Sequence, residues 1–130
     1  MVFKLDASGK ESALYRFTGG ADGEDPVGSL VLDAAGNLYG VTQAGGASMH
    51  GTVFKLDTSH VETVLYSFGG QPDGAHPVAG LVLDATGTLL YGTTPSGGAS
   101  GYGTVFKLDT AGSSYSLLYS FSGQADGGNP

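Results

Sequence analysis

Aspartate is the commonest residue in this chain that can ligate a metal or move a proton, and eight of its nine copies recur at matching places. Asp6, Asp57 and Asp109 each follow Val-Phe-Lys-Leu, while Asp33 and Asp84 each follow Leu-Val-Leu. Asp22, Asp73 and Asp126 each open an Asp-Gly-x-x-Pro motif. A calcium site needs about six to eight oxygen ligands at close quarters. Single carboxylates spread along the chain do not supply them, and neither an EF-hand loop nor a calcium-binding nonapeptide is present. An Asp closing a short apolar run instead accepts backbone N–H groups about two residues on, which shapes a turn. A glycosidase needs two carboxylates at a set separation. The acidic residues without a repeated counterpart, Glu24 and Asp25, are sequence neighbours, so the case for a carbohydrate-active enzyme is weak.

The other chemical residues are thinner. His50, His60 and His76 have no repeated counterpart and no ligand spacing, whereas zinc asks for about three or four converging ligands. No Gly-x-Ser-x-Gly elbow is present. The Gly-Gly-Ala loops carry no following Lys-Ser/Thr and open no helix, so they do not cradle phosphate. The sequence therefore points to no catalytic residue, no metal and no cofactor.

Composition narrows the partners. Five basic residues stand against twelve acidic ones, a net charge of −7 over 130 residues. A nucleic-acid binder needs a basic surface, so nucleic acid and anionic membranes are excluded as partners. No stretch approaches the roughly 18 apolar residues of a membrane helix. Cysteine is absent, which leaves neither disulfides nor thiolate metal sites.

The elements that carry these residues repeat. Val2-Phe3-Lys4-Leu5-Asp6 returns from Val53 and again from Val105, and Leu14-Tyr15-x-Phe17 returns from Leu65 and Leu118. Leu30-Val31-Leu32-Asp33-Ala34 matches the run from Leu81, Leu38-Tyr39-Gly40 matches Leu90-Tyr91-Gly92, and Gly45-Gly46-Ala47 matches Gly97-Gly98-Ala99. The unit is about 51 residues long, with one-residue slips near Leu89 and Tyr115. Each unit holds four strand candidates between turn residues: a (29–33), b (38–42), c (51–57) and d (63–68). Strand a is apolar without alternation, which predicts burial on both faces. No helical period appears. Four strands per repeat of this length predict an all-β fold of propeller-type, four-stranded antiparallel blades. The chain holds about two and a half of them: a c-d half blade (1–26) and two blades (27–77 and 78–130).

The pattern Gly-Leu-Val-Leu-Asp-x-x-Gly-x-Leu-Tyr-Gly, followed by Gly-Gly-Ala and Gly-Thr-Val-Phe-Lys-Leu, resembles the GloVer tandem repeat over the whole chain. That repeat occurs in bacterial proteins described as choice-of-anchor tandem repeat GloVer-containing. The resemblance implies an exported or surface-anchored protein, and it carries no catalytic residue with it. Met1-Val-Phe-Lys-Leu-Asp starts inside a repeat with no signal-peptide pattern. A removed export signal or an excerpt from a longer protein is therefore expected.

Closed propellers typically take about four to eight blades, so the ring is incomplete within one chain and self-association is expected. In a meander alternate loops emerge at the same end, which puts the long b–c and d–a loops together. Those loops hold most of the unrepeated residues, and binding residues concentrate on loops held by a rigid scaffold. Glu24, Asp25, Gln43, His50, His76 and Tyr102 are the candidate ligand-binding face, for a glycan or a protein. All six phenylalanines and five of the seven tyrosines repeat, so Tyr39 and Tyr91 read as blade packing rather than as platforms for a sugar. Two functions follow: a non-enzymatic, extracellular or surface-displayed module for binding or scaffolding, or a self-assembling extracellular building block that pairs through unfinished blades.

Overall fold

The computed structural model describes all 130 residues, and it contains no helix. Ten strands form three antiparallel meanders in chain order. An N-terminal hairpin joins β1 (Val2–Leu5) to β2 (Glu11–Tyr15). The first four-stranded sheet runs β3 (Glu24–Leu32), β4 (Leu38–Ala44), β5 (Thr52–Leu56) and β6 (Glu62–Ser67). The second runs β7 (Val82–Leu83), β8 (Leu89–Thr94), β9 (Thr104–Asp109) and β10 (Tyr115–Ser120). Register repeats with sequence: Leu38 faces Leu56 and Thr42 faces Thr52 in one sheet, as Leu90 faces Leu108 and Thr94 faces Thr104 in the other. The one-residue slips are absorbed in two tight turns. The Asp84 amide reaches five residues on to the Leu89 carbonyl, where the Asp33 amide reaches only four, to Asn37.

Strand alternation sends successive side chains to opposite faces, and here both faces find a partner. Tyr39, Val41, Val53, Leu65 and Phe68 of the first sheet pack against Leu81, Leu90, Phe106 and Leu108 of the second. On the opposite face Phe54 and Leu56 pack against Val2, with Leu14, Tyr15 and Phe17 of the hairpin segment around them. The repeats therefore stack face to face, and the core lies in two seams between units.

The leading strand differs from expectation in two ways. It is a sheet edge rather than a strand buried on both faces: Leu32 is 63% and Val82 64% exposed. Burial there follows the neighbouring unit. Leu81 faces the first sheet and is 4% exposed, while its counterpart Leu30 faces only a hairpin and is 38% exposed. β3 also begins at Glu24, so Glu24 and Asp25 lie in a strand and not in a loop, and the first sheet starts before residue 27. Pro26 stands opposite Thr42 at this edge, where a missing N–H donor is tolerated.

The hairpin seam holds one unsatisfied group. Glu62 Oε1 is buried without a hydrogen-bond partner. Burial first, and then the Asp22 carboxylate, push the Glu62 carboxyl up to about 7. At the other seam the equivalent residue is Tyr115, stacked on Tyr66 at 3.9 Å with its hydroxyl donating to the Asp73 carbonyl at 2.5 Å. A raised carboxyl favours the protonated fold. Its contribution is complete below the unfolded value of about 4.3 and is lost as pH rises through 7. Glu62→Gln should therefore stabilise the protein against urea at pH 8, with the gain shrinking on acidification and gone near pH 4. Equal midpoints at pH 8 would contradict the buried carboxyl.

Candidate functional site

The long loops meet at one end of the sheets because turn chemistry fixes both strands of each approach. Asp73 Oδ2 accepts from the Tyr66 hydroxyl at 2.5 Å and the Gly69 amide at 3.0 Å, tying the end of β6 to the loop that follows. Asp22 with Tyr15 and Thr18, and Asp126 with Tyr119 and Ser122, repeat the clasp. Burial raises Asp22, but hydrogen bonds from Thr18 and Tyr15 outweigh it and hold the carboxylate below its usual range. Ser122, then Tyr119, hold Asp126 lower still. Burial and the Asp22 carboxylate push Tyr15 up to about 12. The glycines after Asp22 and Asp73 are fixed by space as well as φ, whereas Gly127 after Asp126 has open space around it. Gly74 sits at φ 116, and a Cβ there would lie 2.7 Å from Thr94 Oγ1, within the buried Thr94–Thr104 hydroxyl pair.

This frame brings three of the candidates together. His76 Nδ1 lies 3.0 Å from the Gln43 carbonyl, so that nitrogen carries the proton and donates. His76 Nε2 then accepts from His50 Nδ1 at 3.4 Å, and the rings meet edge to face at 5.2 Å. The His76 amide also donates to the His50 carbonyl at 2.8 Å. The pair ties the loop between β4 and β5 to the segment entering the second sheet, and both rings are half-buried. His50 Nε2 has no hydrogen-bond partner within the chain. No group of three or more His, Cys, Asp or Glu side chains gathers to hold a metal ion.

Tyr102 stands where His50 stands one repeat earlier, and there the Asn129 amide donates to the Tyr102 carbonyl at 2.8 Å. Asn129 was not a candidate, yet it is the counterpart of His76. Asp25, His76 and Asn129 form one series at φ 53, 54 and 53. The shared x-Pro position of Asp-Gly-x-x-Pro was the signal available for it. Glu24 and Asp25 are exposed, and the pairing of Glu24 with Ala44 and Pro26 with Thr42 sets Asp25 across the strand edge from Gln43. Tyr102 is 46% exposed. Tyr39 is buried, with its hydroxyl donating to Asp33 at 3.0 Å, which removes it as a stacking platform; Tyr91 is half-buried.

A search of protein families matches residues 1–130 to the Gloeobacter/Verrucomicrobia repeat. The chain belongs to the GloVer repeat family. No curated protein and no solved structure matches it. The repeats in this chain share a left-handed backbone at Asp25, His76 and Asn129, and what differs from copy to copy there is the side chain displayed.

The chain also has one cavity, of about 220 Å³, between β1 and the start of β3. Met1, Val2, Phe3, Pro26, Val27 and Leu30 line it with Gly28, Val41 and Phe54, so no acidic, basic or nucleophilic side chain faces it. Glu62, the one carboxyl displaced toward neutrality, is not among the lining residues.

At φ 54 a side chain with a short polar arm is tolerated, and a β-branched one is not. His76→Asn, which copies Asn129, should leave the urea midpoint near wild type. His76→Val should cost about 1–2 kcal/mol. Equal stability of the two variants would contradict the left-handed conformation.

Proposed function

We propose that this GloVer chain is a propeller-type array of blades, displayed outside the cell, whose long-loop end binds a glycan without transforming it. The observation that carries the reading is one backbone position filled differently in each unit. Asp25, His76 and Asn129 share φ, and the last two share the amide contact to His50 and Tyr102. A rigid frame with variable side chains at equivalent points is how a scaffold builds a specific surface.

The propeller geometry draws support from the leading strands. A Cβ on Gly28 would lie 2.6 Å from the Gly80 amide nitrogen, so the entries of successive sheets touch. Consecutive face-stacked meanders converging through their first strands are how blades surround an axis. The non-enzymatic reading draws support from the apolar cavity and from its separation from Glu62. Location outside the cell rests on the exported and surface-anchored character of proteins that resemble this repeat.

A glycan suits the rim because the rim offers imidazole, amide and carboxylate partners for hydroxyl groups, beside a half-exposed phenol ring. An array of bacterial and plant glycans probed with the fluorescently labelled chain tests this. Tyr102→Ala and His50→Ala should each weaken the best glycan by roughly tenfold, and no new reducing ends should form on incubation. Binding untouched by both changes, or cleavage of the glycan, would contradict the proposal.

A further inference from the structure

Two free faces of the chain are repeat counterparts of faces buried inside it. Phe54 and Phe106 are fully buried, each edge-on to a ring of the preceding unit: Phe17 at 4.9 Å and Phe68 at 5.2 Å. Phe3 is the remaining member of the first series and is 50% exposed. Phe121 is the remaining member of the second, and its ring meets only Tyr119. The same holds at a turn. Gly112 lies against Leu65, where a Cβ would come 3.0 Å from the Leu65 carbonyl oxygen, and Leu65 is 8% exposed. Its counterpart Gly9 has nothing within 4 Å, and the counterpart of Leu65, Leu118, is 48% exposed. At a third place Tyr115 stacks on Tyr66, while Glu11 and Tyr119, their counterparts at the two ends, are exposed.

We infer that these two faces dock on each other between copies of the chain, with Phe3, Gly9 and Glu11 of one copy seated on Phe121, Leu118 and Tyr119 of the next. A second copy is the occupant because the chain already makes this contact twice within itself. The outer face of the second sheet continues the series of faces that the internal seams cover. The contact is head to tail, so each added copy leaves one face of each kind free, and the product is a ring or an open filament. A hairpin alone arrives at the seam. It covers β9 and β10 and leaves Val82 on β7 uncovered. Glu11 takes the place that Glu62 takes beside Tyr15 and Asp22, so a carboxylate stands near Asp126 across the contact. Phe3, Gly9, Glu11, Leu118 and Phe121 are none of the glycan-reading residues of the long-loop end, so this inference and the glycan reading stand or fall separately.

Light scattering after gel filtration of the 130-residue chain at roughly 0.5 mM, enough to populate even a millimolar contact, provides the test. Wild type should give species larger than a monomer. Phe3→Asp and Phe121→Asp, each with a wild-type urea midpoint, should be monomeric alone. Mixed in equal amounts they should form dimers and nothing larger, because one retains only its tail face and the other only its head face. Val82→Lys should associate as wild type does. Glu11→Tyr, which copies the Tyr66–Tyr115 seam, should tighten association roughly two- to tenfold. A monomeric wild type, association that survives Phe3→Asp, or a mixture of the two variants that stays monomeric would overturn the inference.

Discussion

An aromatic ring pressed edge-on into the face of the next repeat is the contact on which this architecture depends. Phe17 on Phe54 and Phe68 on Phe106 are the same contact made twice, about 5 Å between centroids each time. A sheet of four short strands with two apolar faces cannot bury both by itself. Its stability comes from its neighbours, as in repeat proteins generally, where each unit buries its surface against the next. The exposure of Leu30 and Leu81 reads out that dependence directly: the side chains are equivalent, and only the completeness of the neighbour differs.

The loop end follows from the same economy. With the sheets held by their seams, the connections need only local polar clasps. Aspartate supplies them throughout, to backbone amides at the tight turns and to tyrosine hydroxyls at the long ones. The acidity of the chain is thereby tied up in structure at many of its positions. What remains variable is a small set of side chains at conformationally identical points, the histidine pair being the most elaborate of them.

Much of this was legible in the sequence. The period, the four strands per unit, the all-β class and the turn role of Asp33, Asp57 and Asp84 follow from spacing and residue type, because turn chemistry and strand alternation are local. The Tyr–Asp clasp was legible and missed. Tyr15, Tyr66 and Tyr119 each precede their aspartate by seven positions, a constant offset across a loop of changing composition. The exposure of Leu32 and Val82 was not legible, since an apolar run reads alike whether or not a neighbouring sheet covers it. Nor was the meeting of His50 with His76, which lie 26 positions apart and come together only through the stacking of two sheets.

The sheets are coupled through the aromatic seam rather than standing as independent hairpins. A double-mutant cycle between Phe68→Leu and Phe106→Leu, measured by urea unfolding, reads that coupling directly. The seam predicts that the two losses fail to add by about 0.5–1.5 kcal/mol. Losses that add to within about 0.3 kcal/mol would mean that the rings do not meet, and would contradict the stacked arrangement.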